Sequence, residues 1–132
     1  PLLNDLIKIS KNKRFLMLEI KPLFSKESLK VLLSETKKLK NYSITSFKEK
    51  NIINLYKMKR NLNLGLIIPS TFAVDKIVKK SNAKHIKFLV VEKKFLKEKK
   101  INKIKKKIYF YTIRDKKIFN RFSNQNLIFE NL

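Results

Sequence analysis

Side chains that could carry out covalent chemistry are scarce in this chain. Cysteine is absent and His85 is the single histidine, which removes thiolate catalysis, disulfides and Cys-containing zinc sites. Most of the few carboxylates lie beside lysines, whose positive charge favours the ionised form and disfavours a general acid. Gly65 is the only glycine, so a glycine-rich phosphate loop and a dinucleotide-binding fingerprint are excluded. The sequence therefore predicts a protein that is not an enzyme, with no catalytic residues, no metal and no cofactor, in which His85 is a surface or packing residue.

Positive charge is the strongest compositional signal. The chain has 33 Lys and Arg against 10 Asp and Glu, a net charge of +23 over 132 residues. A soluble domain usually carries a net charge of roughly 2 to 8 in magnitude, so this chain repels itself unless a polyanion neutralises it. At 43% hydrophobic residues it is too apolar for a disordered basic tail. A folded domain that binds a polyanion is the expectation.

Lysine dominates over arginine, which occurs only at positions 14, 60, 114 and 121. With abundant Asn, Ile and Phe, this bias suggests a genome rich in adenine and thymine codons, as in some organelles. No apolar run reaches the roughly 18 residues that a membrane span needs, and the first residues do not have the pattern of a signal peptide. We expect a soluble protein without a membrane partner.

The first half of the chain predicts helices and strands in alternation. Residues 4–13 favour a short helix, and the apolar run 15–20 favours a buried strand. Residues 25–40 predict a helix that Ser25 caps, with Phe24 and Leu29 spaced as a hydrophobic staple. Residues 42–47 and 52–57 are interpreted as two antiparallel strands joined by a turn at 48–51.

The second half predicts a strand at 64–69, a helix that Thr71 caps and that ends at Asn82, and a strand at 86–91. A charge run follows Glu92, typical of a solvated or interaction segment. The aromatic stretch Tyr109 to Tyr111 could form a strand, pack on a neighbour or stack on bases, and packing is favoured over stacking. The predicted fold class is α+β, with two small α/β subdomains: an N-terminal one at 1–60 (helix, strand, helix, hairpin) and a β-rich one at 61–92. A basic C-terminal extension occupies 93–132.

Structured RNA is the polyanion that this composition favours. A-form RNA presents phosphates and 2′-hydroxyls across a shallow minor groove, which suits Lys, Ser, Thr and Asn on loops. No basic recognition helix or helix-turn-helix for duplex DNA is evident.

Three segments carry a family resemblance. Residues 4–12 are similar to an opening helix that typically reads Asp-Met-Leu-Thr-Arg-Ile-Arg-Asn, and 24–44 are similar to the Ser-Lys, second helix and strand entry of the same family. Residues 64–72 are similar to its Leu-Gly-Ile-Ala-Ile-Leu-Ser-Thr-Ser stretch, and 75–82 to the short helix after it. On the order of these segments, the chain resembles small-subunit ribosomal protein eight in a divergent organellar form.

The resemblance implies a structural constituent of an organellar small ribosomal subunit, in a mitochondrion or alternatively a plastid. Its partners would be small-subunit rRNA and neighbouring ribosomal proteins, with no small-molecule substrate. RNA contact is implied at Ser70, Thr71 and Phe72, since hydroxyls can donate and accept against sugars and base edges. Further contacts with RNA phosphates are expected from basic residues near the first helix and the loop before residue 64: Lys8, Lys11, Lys13, Arg14, Lys57, Lys59 and Arg60.

Two other classes stay open from the sequence. One is a basic protein-interaction subunit that meets acidic partners and adds Tyr109 to Tyr111 to a neighbour's sheet edge. The other is a different ribosomal protein or a nucleic-acid-packaging protein.

Overall fold

Helices and strands alternate along the chain, for which the computed structural model describes residues 3–10 and 13–132. The helices are α1 (Leu3–Ser10), α2 (Lys26–Thr36), α3 (Glu49–Met58), α4 (Val74–Ser81), α5 (Lys99–Asn102) and α6 (Lys116–Arg121). The strands are β1 (Leu16–Ile20), β2 (Tyr42–Ser46), β3 (Leu64–Ile67), β4 (Phe88–Glu92), β5 (Lys107–Ile113) and β6 (Asn126–Phe129). A 3₁₀ turn covers Lys93–Phe95. Within these residues no helix has both the length and the apolar character to cross a bilayer.

All six strands form one sheet in chain order, each parallel to the next. Parallel neighbours require a crossover between strands, and here the crossovers contain α2, α3, α4, α5 and α6. The sheet curls into a half-barrel with helices on its convex side.

Both faces of the sheet are apolar, and the convex face buries more of the side chains. Under α2 and α3, Leu29, Ile44 and Leu55 belong to one fully buried cluster. Under α4, α5 and α6, a second cluster includes Leu89 and Phe110. The concave face holds a smaller cluster of Ile67, Phe88 and Val90, with Met17, Tyr109, Tyr111 and Ile128 packed against it. The helices thus leave the concave face open for a ligand.

The predicted α+β fold of two subdomains is wrong. Residues 52–57 were interpreted as the second strand of a hairpin, yet they lie in α3, where Asn51, Ile52 and Leu55 face the core at helical spacing. Because α3 is a crossover helix, β2 pairs with β3 in parallel rather than folding back on a hairpin. The expected borders at 60/61 and 92/93 fall between elements of this continuous sheet, and the role of the three segments stays a prediction.

Several local predictions are confirmed. The Ser25 hydroxyl caps α2 by accepting from the Ser28 amide at 3.1 Å, and Asn82 ends α4. The strands expected around residues 15–20, 42–47, 64–69 and 86–91 are β1 to β4. The predicted cap at Thr71 is wrong, because the helix begins later, with Ala73 at its N-cap and no side-chain cap.

The single glycine permits close packing on the concave face. Gly65 lies opposite Phe88 in the β3–β4 register, and a Cβ at position 65 would approach three atoms of the Phe88 ring to less than 3.0 Å. The ring is 3% exposed and makes an edge-on contact with Tyr109, at 5.5 Å between centroids. The Phe88 ring can therefore move away from a Cβ at position 65 only by losing its contact with Tyr109.

We predict that Gly65→Ala lowers the free energy of unfolding by roughly 1–3 kcal/mol, as overpacking does in tight cores. Denaturant unfolding measures the loss. The same substitution in a Phe88→Leu background is the matched comparison and should cost less, because the ring is gone. Equal losses in the two backgrounds would contradict the proposed clash.

Glu49 ties α3 to α4 and to the loop before β4. Its carboxylate contacts Lys80 Nζ at 2.5 Å and His85 Nε2 at 2.9 Å. Partial burial raises the pKa of Glu49, but hydrogen bonds and charge from Lys80 and His85 outweigh burial, and the net pKa is lowered. A carboxyl group whose pKa is lowered by folding stabilises the folded state at pH values above its ordinary pKa. That stability is lost as the pH falls through the folded-state pKa.

We predict that Glu49→Gln lowers the free energy of unfolding by about 1 kcal/mol at pH 7. The difference from the unmodified protein should shrink as pH falls below 4.5, the ordinary carboxyl value, because protonation removes the advantage of the charge. Urea unfolding at a series of pH values tests this, with Glu35→Gln on α2 as control. A difference that is constant with pH would show that the ion pairs contribute nothing.

Candidate active site

A cavity of 440 Å³ opens on the concave face and takes side chains from all six strands. Its wall is mainly apolar, from Met17, Ile67, Val90, Tyr109 and Ile128. Its volume lies within the range of small-molecule sites. Polar groups gather where the strands end, which gives the cavity an apolar wall and one chemically active end.

Glu19 and Tyr111 line this end of the cavity, and Glu92 lies beside Tyr111 on the neighbouring strand. Glu19 is the next-to-last residue of β1, and Glu92 ends β4, directly opposite Tyr111 of β5 in the strand register. The Tyr111 hydroxyl donates to the Ile68 carbonyl at 3.0 Å. Burial raises the pKa of Tyr111, and the charges of Glu92 and Glu19 raise it further. At neutral pH the phenol therefore stays protonated, next to two negative charges.

A buried hydrogen-bond network fixes the chain that follows Glu19. Ser46 Oγ donates to the Ile20 carbonyl at 2.7 Å, and Asn51 Nδ2 donates to the Pro22 carbonyl at 2.8 Å. The Asn51 oxygen accepts from the Phe24 amide at 2.9 Å, so one buried amide holds both sides of the β1–α2 loop. This loop carries Lys21, two residues beyond Glu19.

Exposed cations follow four of the strands at the carboxyl edge. Lys21 follows β1, Lys48 follows β2, Lys94 follows β4 and Arg114 follows β5. Lys94 Nζ donates to the Ser70 carbonyl, and Arg114 pairs with Glu130 at 2.7 Å. Positive loops around a concave opening raise the local concentration of an anionic ligand.

The residues expected to contact RNA do not form one surface. Ser70 and Thr71 are exposed on the loop after β3, at the same edge as the two carboxylates. Phe72 is half-buried against the core with Lys76 Nζ 3.9 Å above its ring, which leaves the ring little freedom to stack on a base.

The expected phosphate-binding cations lie elsewhere. Lys13 and Arg14 precede β1, and Lys59 and Arg60 precede β3, so these four lie toward the amino edge. Lys57 is exposed in the last turn of α3 and Lys8 is exposed on α1. Lys11 lies outside the described residues.

Ligands for a metal are limited in this part of the protein. Glu19 and Glu92 offer oxygen atoms of the kind that hard divalent cations bind. Across residues 3–10 and 13–132, however, no group of three or more His, Cys, Asp and Glu side chains comes together. His85, the single imidazole, precedes β4 and so lies toward the opposite edge.

Solved structures share this architecture. A phosphodiesterase from Oleispira antarctica, in complex with the product sn-glycerol-3-phosphate, superposes on 97% of the chain with a TM-score of 0.76 and 18% identity. Glycerophosphodiester phosphodiesterases from Parabacteroides distasonis and Agrobacterium tumefaciens each match 98% of it, with TM-scores of 0.70 and 0.69 and identities of 14% and 12%. The chain has the fold of these enzymes. It covers 56%, 58% and 57% of their respective lengths, and neither protein-family profiles nor curated protein sequences match it.

The resemblance to small-subunit ribosomal protein eight is wrong. The all-parallel sheet, with its strands in chain order, is similar to that of the phosphodiesterase structures. The short similar segments carry no information on the topology that distinguishes the two folds. The predictions that rested on the resemblance are corrected with it: a ribosomal constituent, partners that are rRNA and ribosomal proteins, and no small-molecule substrate. The prediction from composition that the chain is not an enzyme is wrong as well, since the structures that share its fold are phosphodiesterases. An organellar location stays a prediction.

Glu92 was overlooked because Lys93 follows it, and Glu19 because it lies within an apolar run. The sequence did contain a signal for both of them: Glu92 ends the run that forms β4, and Glu19 lies one residue before the end of β1. In parallel sheets a polar residue at that position lies where ligands bind. These positions indicate a binding site only once the strands are known to be parallel.

We predict that Asn51→Ala lowers the free energy of unfolding by about 2–3 kcal/mol, because it leaves the Phe24 amide and the Pro22 carbonyl without their partner. Chemical denaturation measures this loss. Asn54→Ala, half-buried on the same helix, is the control and should cost much less. Similar losses for the two variants would assign the effect to the helix rather than to the network.

Proposed function

We propose that this chain carries part of the active site of a phosphodiesterase that hydrolyses glycerophosphodiesters. The observation that supports it is the group formed by Glu19, Glu92 and Tyr111, inside a basic opening at the carboxyl edge of a parallel sheet. Barrels of parallel strands bind their substrates at this edge. The shared fold with phosphodiesterases makes a phosphodiester the substrate class to test first.

In this proposal, positive charges bind the phosphate of the substrate and hydrogen-bonding groups bind its hydroxyls. A phosphodiester carries one negative charge, which Lys21, Lys48 and Lys94 can neutralise from three loops. Glycerol hydroxyls need acceptors, and a carboxylate such as Glu92 is a strong one. The Tyr111 hydroxyl donates its proton to the Ile68 carbonyl, so its oxygen can accept from a second glycerol hydroxyl.

Hydrolysis adds a water oxygen to phosphorus and breaks the bond between phosphorus and the leaving alcohol oxygen. In this proposal Glu19 accepts the proton of the attacking water, since its carboxylate lines the cavity, is exposed to the opening and lies near the end of β1. Lys21 stabilises the negative charge that develops on the phosphoryl oxygens. The proton reaches the leaving alkoxide, so the products are a phosphomonoester and an alcohol.

We predict that Glu19→Gln reduces kcat by roughly 100-fold or more, the usual contribution of a general base. The assay measures release of sn-glycerol-3-phosphate from glycerophosphocholine or glycerophosphoglycerol by the full-length protein. Glu27→Gln, an exposed change on α2, is the matched control and should keep full activity.

Two results would count against the proposal. If the full-length protein released glycerophosphate from neither diester, the phosphodiesterase assignment would be wrong. If it hydrolysed them and Glu19→Gln were fully active, the base would have to be another group.

A further inference from the structure

A second cavity, of 470 Å³, lies beside the candidate active site on the helix side of the carboxyl edge. One wall is the segment that follows β4, and the other is α6. Of its lining residues, the proposed hydrolysis uses only Glu92 and Lys94. Its lining combines apolar and basic side chains.

The floor is apolar. Leu96 is 5% exposed and belongs to the convex core, and Ile118 and Phe122 pack half-buried against the same core. All three line the cavity. An apolar group placed there would remove these side chains from water, which is favourable in proportion to the area covered.

The rim is cationic. Five of the nine residues that line the cavity are basic: Lys93, Lys94, Lys97, Lys117 and Arg121. The ion pairs of Glu49, Asp75 and Glu130 are formed with cations outside the rim. The one acidic lining residue is Glu92. The rim therefore offers an excess of positive charge to an incoming ligand.

Glu92 joins this cavity to the candidate active site. It lines the second cavity and lies opposite Tyr111, which lines the first. A ligand with its phosphate at the opening could therefore extend an attached group over the apolar floor.

We infer that the second cavity binds the acyl chain of a glycerophosphate derivative that carries one fatty acyl group, with the anionic phosphate held by the lysine rim. A free inorganic anion would make no use of Leu96, Ile118 and Phe122, and a neutral lipid would make no use of the cations. An acylated glycerophosphate uses both. The inference rests on the proposed function, which it deepens by naming acylated glycerophosphodiesters as the substrate class.

Binding tests this without relying on hydrolysis. Calorimetry with the full-length protein compares three probes below their micelle-forming concentrations: lysophosphatidic acid, sn-glycerol-3-phosphate and a monoacylglycerol. Lysophosphatidic acid is a phosphomonoester, so a diesterase does not consume it. We expect it to bind at least ten times more tightly than either other probe.

Paired variants locate the site. Lys97→Ala with Lys117→Ala should weaken lysophosphatidic acid binding about tenfold and leave monoacylglycerol binding unchanged. Lys50→Ala with Lys79→Ala removes the same charge from exposed positions on α3 and α4 and should have little effect. Ile118→Thr, which places a hydroxyl on the floor, should weaken lysophosphatidic acid binding without changing that of sn-glycerol-3-phosphate.

The inference is overturned if lysophosphatidic acid binds no more tightly than sn-glycerol-3-phosphate, or if the two lysine pairs have equal effects. Equal effects would reveal only the general attraction of anions to a strongly basic chain. Acyl-dependent binding without hydrolysis of any diester would refute the proposed function alone. Hydrolysis of glycerophosphocholine without a preference for the acylated probe would refute the acyl site alone.

Discussion

Parallel pairing of six consecutive strands is the constraint on which the rest of this structure depends. It forces each strand to start at one edge of the sheet and to finish at the other. Residues far apart in sequence, such as Glu19 and Tyr111, meet because each lies near the end of its strand. The same rule separates Ser70 and Thr71 from Lys59 and Arg60, which precede a strand rather than follow it. The direction of the strands therefore decides which residues come together at the candidate site, more than the composition does.

Much of the local structure could be predicted from sequence, because caps and apolar runs act over a few residues. Ser25 and the runs forming β1 and β3 are examples. The segment 49–58 could not be assigned in this way, since adjacent Ile52 and Ile53 resemble a strand and only the packing of Asn51 and Leu55 shows a helix. That one assignment decided between antiparallel and parallel pairing, and so the fold class was missed.

The candidate site was harder to predict than the fold, for an electrostatic reason. In this chain of net charge +23, six of the ten carboxylates have a lysine beside them, so sequence neighbours are a poor guide for distinguishing a surface ion pair from a ligand-binding group. The distinction lies in neighbours across the sheet, such as Thr45 beside Glu19 and Tyr111 beside Glu92. Those neighbours follow from register, which a single sequence does not contain.

Gly65 and Phe88 have a consequence for how this chain can evolve. The chain contains a single glycine, at a position whose missing side chain makes room for an aromatic ring on the next strand. The glycine cannot change alone: a side chain at 65 becomes acceptable only after the ring at 88 has been replaced. Related chains should therefore change the two positions in a fixed historical order, the ring first and the glycine second.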